Sequence, residues 1–175
     1  MQSRRPTSGY STRAANDGER TRSFAAAAAA TQVSGLEAVA EQAAKARMLG
    51  IEVAVGDIGA GLPYEDASFD AVVSNQVIEH LCDPDFFVAE VYRALRSGGT
   101  AVVSTENLAS WHNVIALALG WQPFSLTNVS GIGGGLGNPA AVHRGLEHTR
   151  PTSWRHVHVF AYRGCSSSSR VMGSK

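Results

Sequence analysis

Short apolar runs separated by stretches of helical spacing dominate the chain from residue 32 onward. Gln32 to Leu36 and Ile51 to Val55 read as strands, the second ended by Gly56-Asp57. Between them Val39, Ala43, Ala46 and Arg47 recur at helical spacing, and Gly50 is placed to stop that helix. Upstream, Glu19 to Ala30 holds six consecutive alanines, the best helix former, and predicts a helix whose small side chains let it lie close to a sheet. Phe69 to Ser74 is an apolar run of the kind buried on both faces of a parallel sheet. Asp83-Pro84-Asp85 predicts an N-cap with proline in the first turn. The helix it opens carries Phe87, Val88, Val91, Ala94 and Leu95 inward and ends at Gly98-Gly99. Thr100 to Ser104 is a further buried strand. This alternation predicts an α/β fold, a mostly parallel sheet flanked by helices.

Past Thr105 the pattern changes. Trp111, Val114, Ile115 and Ala118 mark one more helix, which with Trp121, Pro123 and Phe124 is suited either to capping an apolar pocket or to ordinary core packing. Gly131 to Asn138 is a glycine-rich loop without the Lys-Ser/Thr of a phosphate loop, and His156 to Tyr162 alternates like a strand. Residues 1–13 lack apolar periodicity and 165–175 are Ser-rich, so both are expected to be disordered around one domain at 14–164. The early arginines, Arg4, Arg5 and Arg13, without any acid, are shared by transit peptides and unstructured N-termini alike.

Composition narrows the partners. Fifteen basic and fifteen acidic side chains cancel, which leaves no electrostatic footprint for nucleic acid or anionic lipid. Two cysteines, Cys82 and Cys165, exclude a disulfide framework and fit a reducing, cytoplasmic setting. The longest apolar stretch, Phe24 to Ala30, is far short of the roughly 20 residues that cross a bilayer, so no membrane span is expected. His143, His148, His156 and His158 form no short helical pair and have no nearby cysteine, so no metal site is expected.

In open parallel sheets ligands bind where strands end at their carboxyl sides. Glu37 follows the first strand, Asp57 the second, Asn75 the third and Glu106-Asn107 the fourth, four polar termini at one edge. An acid after a strand of a nucleotide-binding half accepts hydrogen bonds from ribose hydroxyls, whereas alone it is equally a solvated loop carboxylate.

The segments Gly56-Asp57-Ile58, Leu62-Pro63-Tyr64-Glu65-Asp66-Ala67-Ser68-Phe69-Asp70, Ser74-Asn75-Gln76-Val77-Ile78-Glu79-His80-Leu81 and Leu95-Arg96-Ser97-Gly98-Gly99 resemble the class I S-adenosylmethionine-dependent methyltransferases. The closest likeness is to the small-molecule, ubiquinone-biosynthesis-like branch, and it runs from about Val33 to Thr105. It implies a Rossmann-like fold, S-adenosyl-L-methionine as cofactor and a small-molecule acceptor. By the same resemblance Glu37 holds the ribose hydroxyls, Asp57 sits beside the adenine amino group, and Ile58 lies against the ring. Asn75 and Gln76 underlie the methionine portion, and His80 is the candidate base facing the acceptor.

The chain departs from the family at both ends. The family's Gly-x-Gly turn falls here on Ala14-Ala15-Asn16-Asp17-Gly18, where only Gly18 is glycine, Thr12 stands in place of the acid, and Tyr10 to Arg13 makes a poor buried strand. Ser166 to Arg170 supplies neither the last helix nor the hairpin. A missing central strand predicts marginal stability and self-association. It also leaves open a non-catalytic relic that binds cofactor weakly or pairs with another chain. A nicotinamide dehydrogenase is disfavoured because no Gly-x-Gly-x-x-Gly turn precedes Glu37.

Overall fold

A computed structural model describes residues 18–127, 137–141 and 155–161 of the 175-residue chain. Its contacts divide between two units. Among the described residues, the first holds 18–78 and 83–104, and the second holds 79–82 with everything from Thr105 onward.

The first unit is an α/β structure of parallel strands flanked by helices. After α1 (Glu19–Ala27) come β1 (Ser34–Glu37), α2 (Ala40–Met48), β2 (Glu52–Val55), β3 (Phe69–Asn75), α3 (Pro84–Ala94) and β4 (Leu95–Ser104). β1 pairs with β2 in parallel, Ser34 opposite Glu52 through Glu37 opposite Val55. β3 pairs with β4 in parallel, with a register shift between Phe69 and Ala71. Among the described residues these are two separate two-stranded ladders. The expected strand at Tyr10 to Arg13 and the turn at 14–17 lie outside the described residues.

Local chemistry explains most element boundaries. Gly50, at φ +80°, ends α2 where a Cβ would be strained, and Ala43 and Ala46 on the inner face of α2 pack on Ile51 and Val53 with Val33 beside them. Asp83 caps α3 as its sequence predicts, its carboxylate accepting the Phe86 N–H at 2.9 Å, with Pro84 in the first turn. Loss of such a cap costs about 1 kcal/mol. Phe87, Val91 and Ala94 are buried on the inner face of α3 and Val88 is half-buried.

Three expectations are corrected. α3 stops at Ala94, not at Gly98-Gly99, because Leu95 already pairs with Phe69 as the first residue of β4. The two glycines instead fall at the register shift, where Gly98 takes φ +78° and a Cβ on Gly99 would lie 2.9 Å from the Arg96 carbonyl. β3 and β4 are not covered on both faces: β4 is largely exposed and Val102 is half-exposed. α1 buries only Thr21, so its alanines do not form the closely packed, sheet-facing side expected of them.

In the second unit, α4 (Trp111–Ala118) turns a polar side inward. Asn113 is fully buried, donating to the Asn107 carbonyl (3.2 Å) and Ser125 Oγ (2.9 Å). The helix is thereby rotated so that Trp111 is 75% exposed and Val114, Ile115 and Leu117 are about half-exposed, which is at odds with ordinary core packing at these positions. The run His156 to Tyr162 forms, within its described part, a single bridge from Phe160 to Asn107 rather than a strand.

Candidate functional site

The first two candidate acids stand side by side. Register places Glu37 opposite Val55, and the Gly56 N–H donates to the Glu37 carbonyl at 3.1 Å, which brings Asp57 to the carboxyl edge next to Glu37. Glu37 is only 3% exposed. Its Oε1 accepts the Val39 N–H at 2.9 Å, while its Oε2 is buried without a hydrogen-bond partner. A buried carboxylate oxygen in that state costs free energy unless a donor is supplied. Asp57 is exposed, and its Oδ1 accepts the Gly59 N–H at 2.9 Å.

A cavity of about 480 Å³ opens beside Asp57, lined among others by Leu36, Gly56, Ala60, Gly61, Glu90 and Arg93. Arg93 holds one wall. Its guanidinium grips both oxygens of Glu90 at 2.8 Å and donates to the carbonyls of Leu62 (3.0 Å) and Tyr64 (2.8 Å). The Arg93 hydrogen bonds hold the Glu90 carboxyl below its usual value, and Glu90 reciprocally keeps Arg93 protonated. Tyr64 donates its hydroxyl to the Gly35 carbonyl at 2.7 Å, and desolvation, then the charge of Glu52, pushes its pKa up to about 12.

The other strand pair ends in a second polar edge. Ser104 Oγ donates to Asn75 Oδ1 at 2.5 Å, and the Gln76 N–H donates to the Ser104 carbonyl at 2.8 Å. Gln76 adopts φ +55°, a conformation costing roughly 1–3 kcal/mol for a residue with a side chain and concentrated at functional turns.

Of the expected cofactor residues only Asp57 lines the cavity; Glu37, Asn75 and Gln76, like Ile58 and Gly18, do not. Ile58 is 7% exposed and does not line the cavity; its side chain points into the core. Gly18 stands at the amino end of β2, not at the carboxyl edge. Its φ is +84° and a Cβ there would meet Leu49, Ala46 and Ile51 at 3.0–3.1 Å, so packing against α2 accounts for this glycine. His80 belongs to the second unit, where its Nδ1 lies 2.8 Å from the Arg155 carbonyl and its ring centroid 4.9 Å from that of His156. Beside it, burial raises the pKa of Glu79 against the opposing hydrogen bond from Thr105 and the charge of His156.

A sequence profile described as a methyltransferase domain matches residues 14–103, just over half of the chain. The chain belongs to the class I S-adenosylmethionine-dependent methyltransferase family. This methyltransferase chain is 49% identical over 63 residues to a Mycolicibacterium smegmatis protein named "Probable S-adenosylmethionine-dependent methyltransferase", a match covering 36% of the chain and 24% of the relative. It is 36% identical over 101 residues to the malonyl-[acyl-carrier protein] O-methyltransferase of Erwinia billingiae, covering 57% and 39% respectively. Its fold matches a SAM-dependent methyltransferase of Thermotoga maritima with a TM-score of 0.60 at 19% identity, over 96% of this chain and 63% of that one. The methyltransferase chain thus spans well under half the length of these curated relatives.

The sequence reading missed Arg93, Glu90 and Tyr64. A Glu-x-x-Arg spacing on α3 was the available signal for the first two, since residues three apart share a helix face. No helix of the described residues is long and apolar enough to cross a membrane.

Proposed function

We propose that this chain binds S-adenosylmethionine through the carboxyl edge of its parallel strands and transfers the methyl group to a small-molecule acceptor. The observation that carries the reading is Glu37, a carboxylate almost wholly removed from water with one oxygen still lacking a donor. Adjacent hydroxyls of a ribose are donors of the kind it lacks. The residues fit the cofactor here: the unpaired Glu37 oxygen suits the diol, and exposed Asp57 beside the cavity suits an exocyclic amine. Asn75 and the strained Gln76 turn are assigned to the amino-acid portion.

Bound S-adenosylmethionine supplies a methyl group already activated on sulfur, so the chemistry needs orientation and exclusion of water more than acid or base catalysis. The chain's own contribution is to fix the nucleoside with Glu37 and Asp57, and to hold the cavity wall through the Arg93 clamp. A general base is not required of His80 in this scheme.

A second reading, a family member that no longer binds cofactor, is favoured by one observation: among the described residues β1 and β3 are not joined by a strand between them. Calorimetric titration of the full chain with S-adenosylhomocysteine separates the two. Saturable binding in the micromolar range, weakened ten- to a hundredfold in Glu37→Gln, supports the first reading. A folded chain that binds nothing establishes the second.

A further inference from the structure

Within the second unit, Glu79, His80 and His156 bring one ligand atom each to within 4.8 Å of one another. Glu79 is 2% exposed. Its Oε2 accepts the Thr105 hydroxyl at 2.9 Å, and its Oε1 is buried without a hydrogen-bond partner, 3.9 Å from His80 Nε2. Both imidazoles are oriented by main chain: His80 Nδ1 lies 2.8 Å from the Arg155 carbonyl and His156 Nδ1 lies 2.8 Å from the Ser125 carbonyl. A carbonyl oxygen only accepts, so each Nδ1 carries the proton, and in the neutral ring Nε2 carries the lone pair. An Nδ1–H held by a backbone carbonyl is the usual support of a metal-ligating histidine, since it sets both tautomer and ring orientation.

We propose that Glu79, His80 and His156 form a site for a divalent transition-metal ion of the zinc class, with a fourth position open to water or another ligand. Two imidazole nitrogens and one carboxylate oxygen match the donor preference of such ions rather than of magnesium or calcium, which take oxygen sets. Bonds of about 2.0–2.1 Å bring ligand atoms to about 3.4 Å from each other, so closure from 4.8 Å asks for about 1 Å of side-chain movement. The main chain already holds the parts in place: the Glu79 carbonyl accepts the N–H groups of Val157 (2.7 Å) and His158 (3.0 Å), which ties the segment bearing His156 to the turn bearing Glu79 and His80. Glu106, with a carboxylate oxygen 3.9 Å from His156 Nδ1, adds negative charge at the rim. The proposed site runs against the expectation drawn from histidine spacing, and it stands independently of cofactor binding.

The test is calorimetric titration of the full chain, stripped with chelator, with zinc chloride. One saturable ion per chain is expected, lost in His80→Ala and in His156→Ala and retained in His158→Ala, whose ring is outside the cluster. Zinc is also expected to raise the melting temperature of the native chain and not that of Glu79→Gln. Absence of a saturable step, its survival in either ligand variant, or its equal loss in His158→Ala overturns the site. Should the variants not fold, cobalt bound to the native chain decides: intense visible absorption marks a four-coordinate nitrogen-containing site, and the weak absorption of six-coordinate cobalt refutes it.

Discussion

Replacing Arg93 with methionine keeps the aliphatic stem and removes all five hydrogen bonds of the guanidinium. The bond to Asp66, a carboxylate 79% exposed, contributes little. The carbonyls of Leu62 and Tyr64 lose donors worth roughly 1 kcal/mol each, and the bidentate Glu90 pair, partly screened, is worth about 1 kcal/mol more. The total, about 3 kcal/mol, corresponds to a fall in melting temperature of roughly 6–12 °C for a chain of this length. Urea unfolding followed by far-ultraviolet circular dichroism measures it. Arg93→Lys should recover only the charge and lose most of the same stability, because an ammonium cannot reproduce the fork. The effect also has a pH signature. Glu90 is held below its usual 4.5 by Arg93, so its contribution is present above that value and disappears as pH falls through the lower native value. The gap between native and Arg93→Met stability should therefore narrow below pH 4.5. A methionine variant within about 0.5 kcal/mol of the native chain at neutral pH, the range of an inconsequential surface change, would falsify the clamp.

Asp57→Ala should weaken S-adenosylhomocysteine binding ten- to a hundredfold, since a hydrogen bond to a charged group is worth roughly 1.5–3 kcal/mol; unchanged calorimetric affinity in the folded variant removes Asp57 from the site. Gly18→Ala should destabilise by more than about 1 kcal/mol through its positive φ and its 3.0–3.1 Å neighbours, read as a lower urea midpoint with cofactor affinity unchanged in the folded fraction. The phenol of Tyr64 is raised from 10.0 to about 12, so the unfolded chain ionises first. Stability should fall between those two pH values, and Tyr64→Phe should flatten that slope in pH-dependent melting.

Where one local interaction decides an element, the sequence was readable. Asp83-Pro84 announced α3 because cap and proline act within one turn, and Gly50 announced the end of α2 because its positive φ is a single-residue property. The position of Glu37 and Asp57 at the ends of neighbouring strands was legible for the same reason, each standing at the end of an apolar run. Elements decided by partners far along the chain were not. Gly98-Gly99 read as a helix stop, yet pairing of Leu95 with Phe69 ends the helix earlier. The period of Trp111, Val114 and Ile115 marks a helix but not its buried side, which the amide of Asn113 and its partner Ser125 take. The grouping of His156 with Glu79 and His80 depends on main-chain bonds between distant segments, and no spacing rule encodes it.

Tyr64 touches both strand ladders: its hydroxyl bonds to Gly35 in β1, and its ring packs edge-on against Phe69 at the start of β3, 4.8 Å between centroids. Each ladder closes over its own intervening helix, so each can nucleate from contacts near in sequence without waiting for the other. Among the described residues, cooperativity between them is then a property of the connecting loop rather than of a shared strand. Weakening that phenol would turn one unfolding event into two, seen in native-state hydrogen exchange as separate opening free energies for the amides of β1–β2 and of β3–β4.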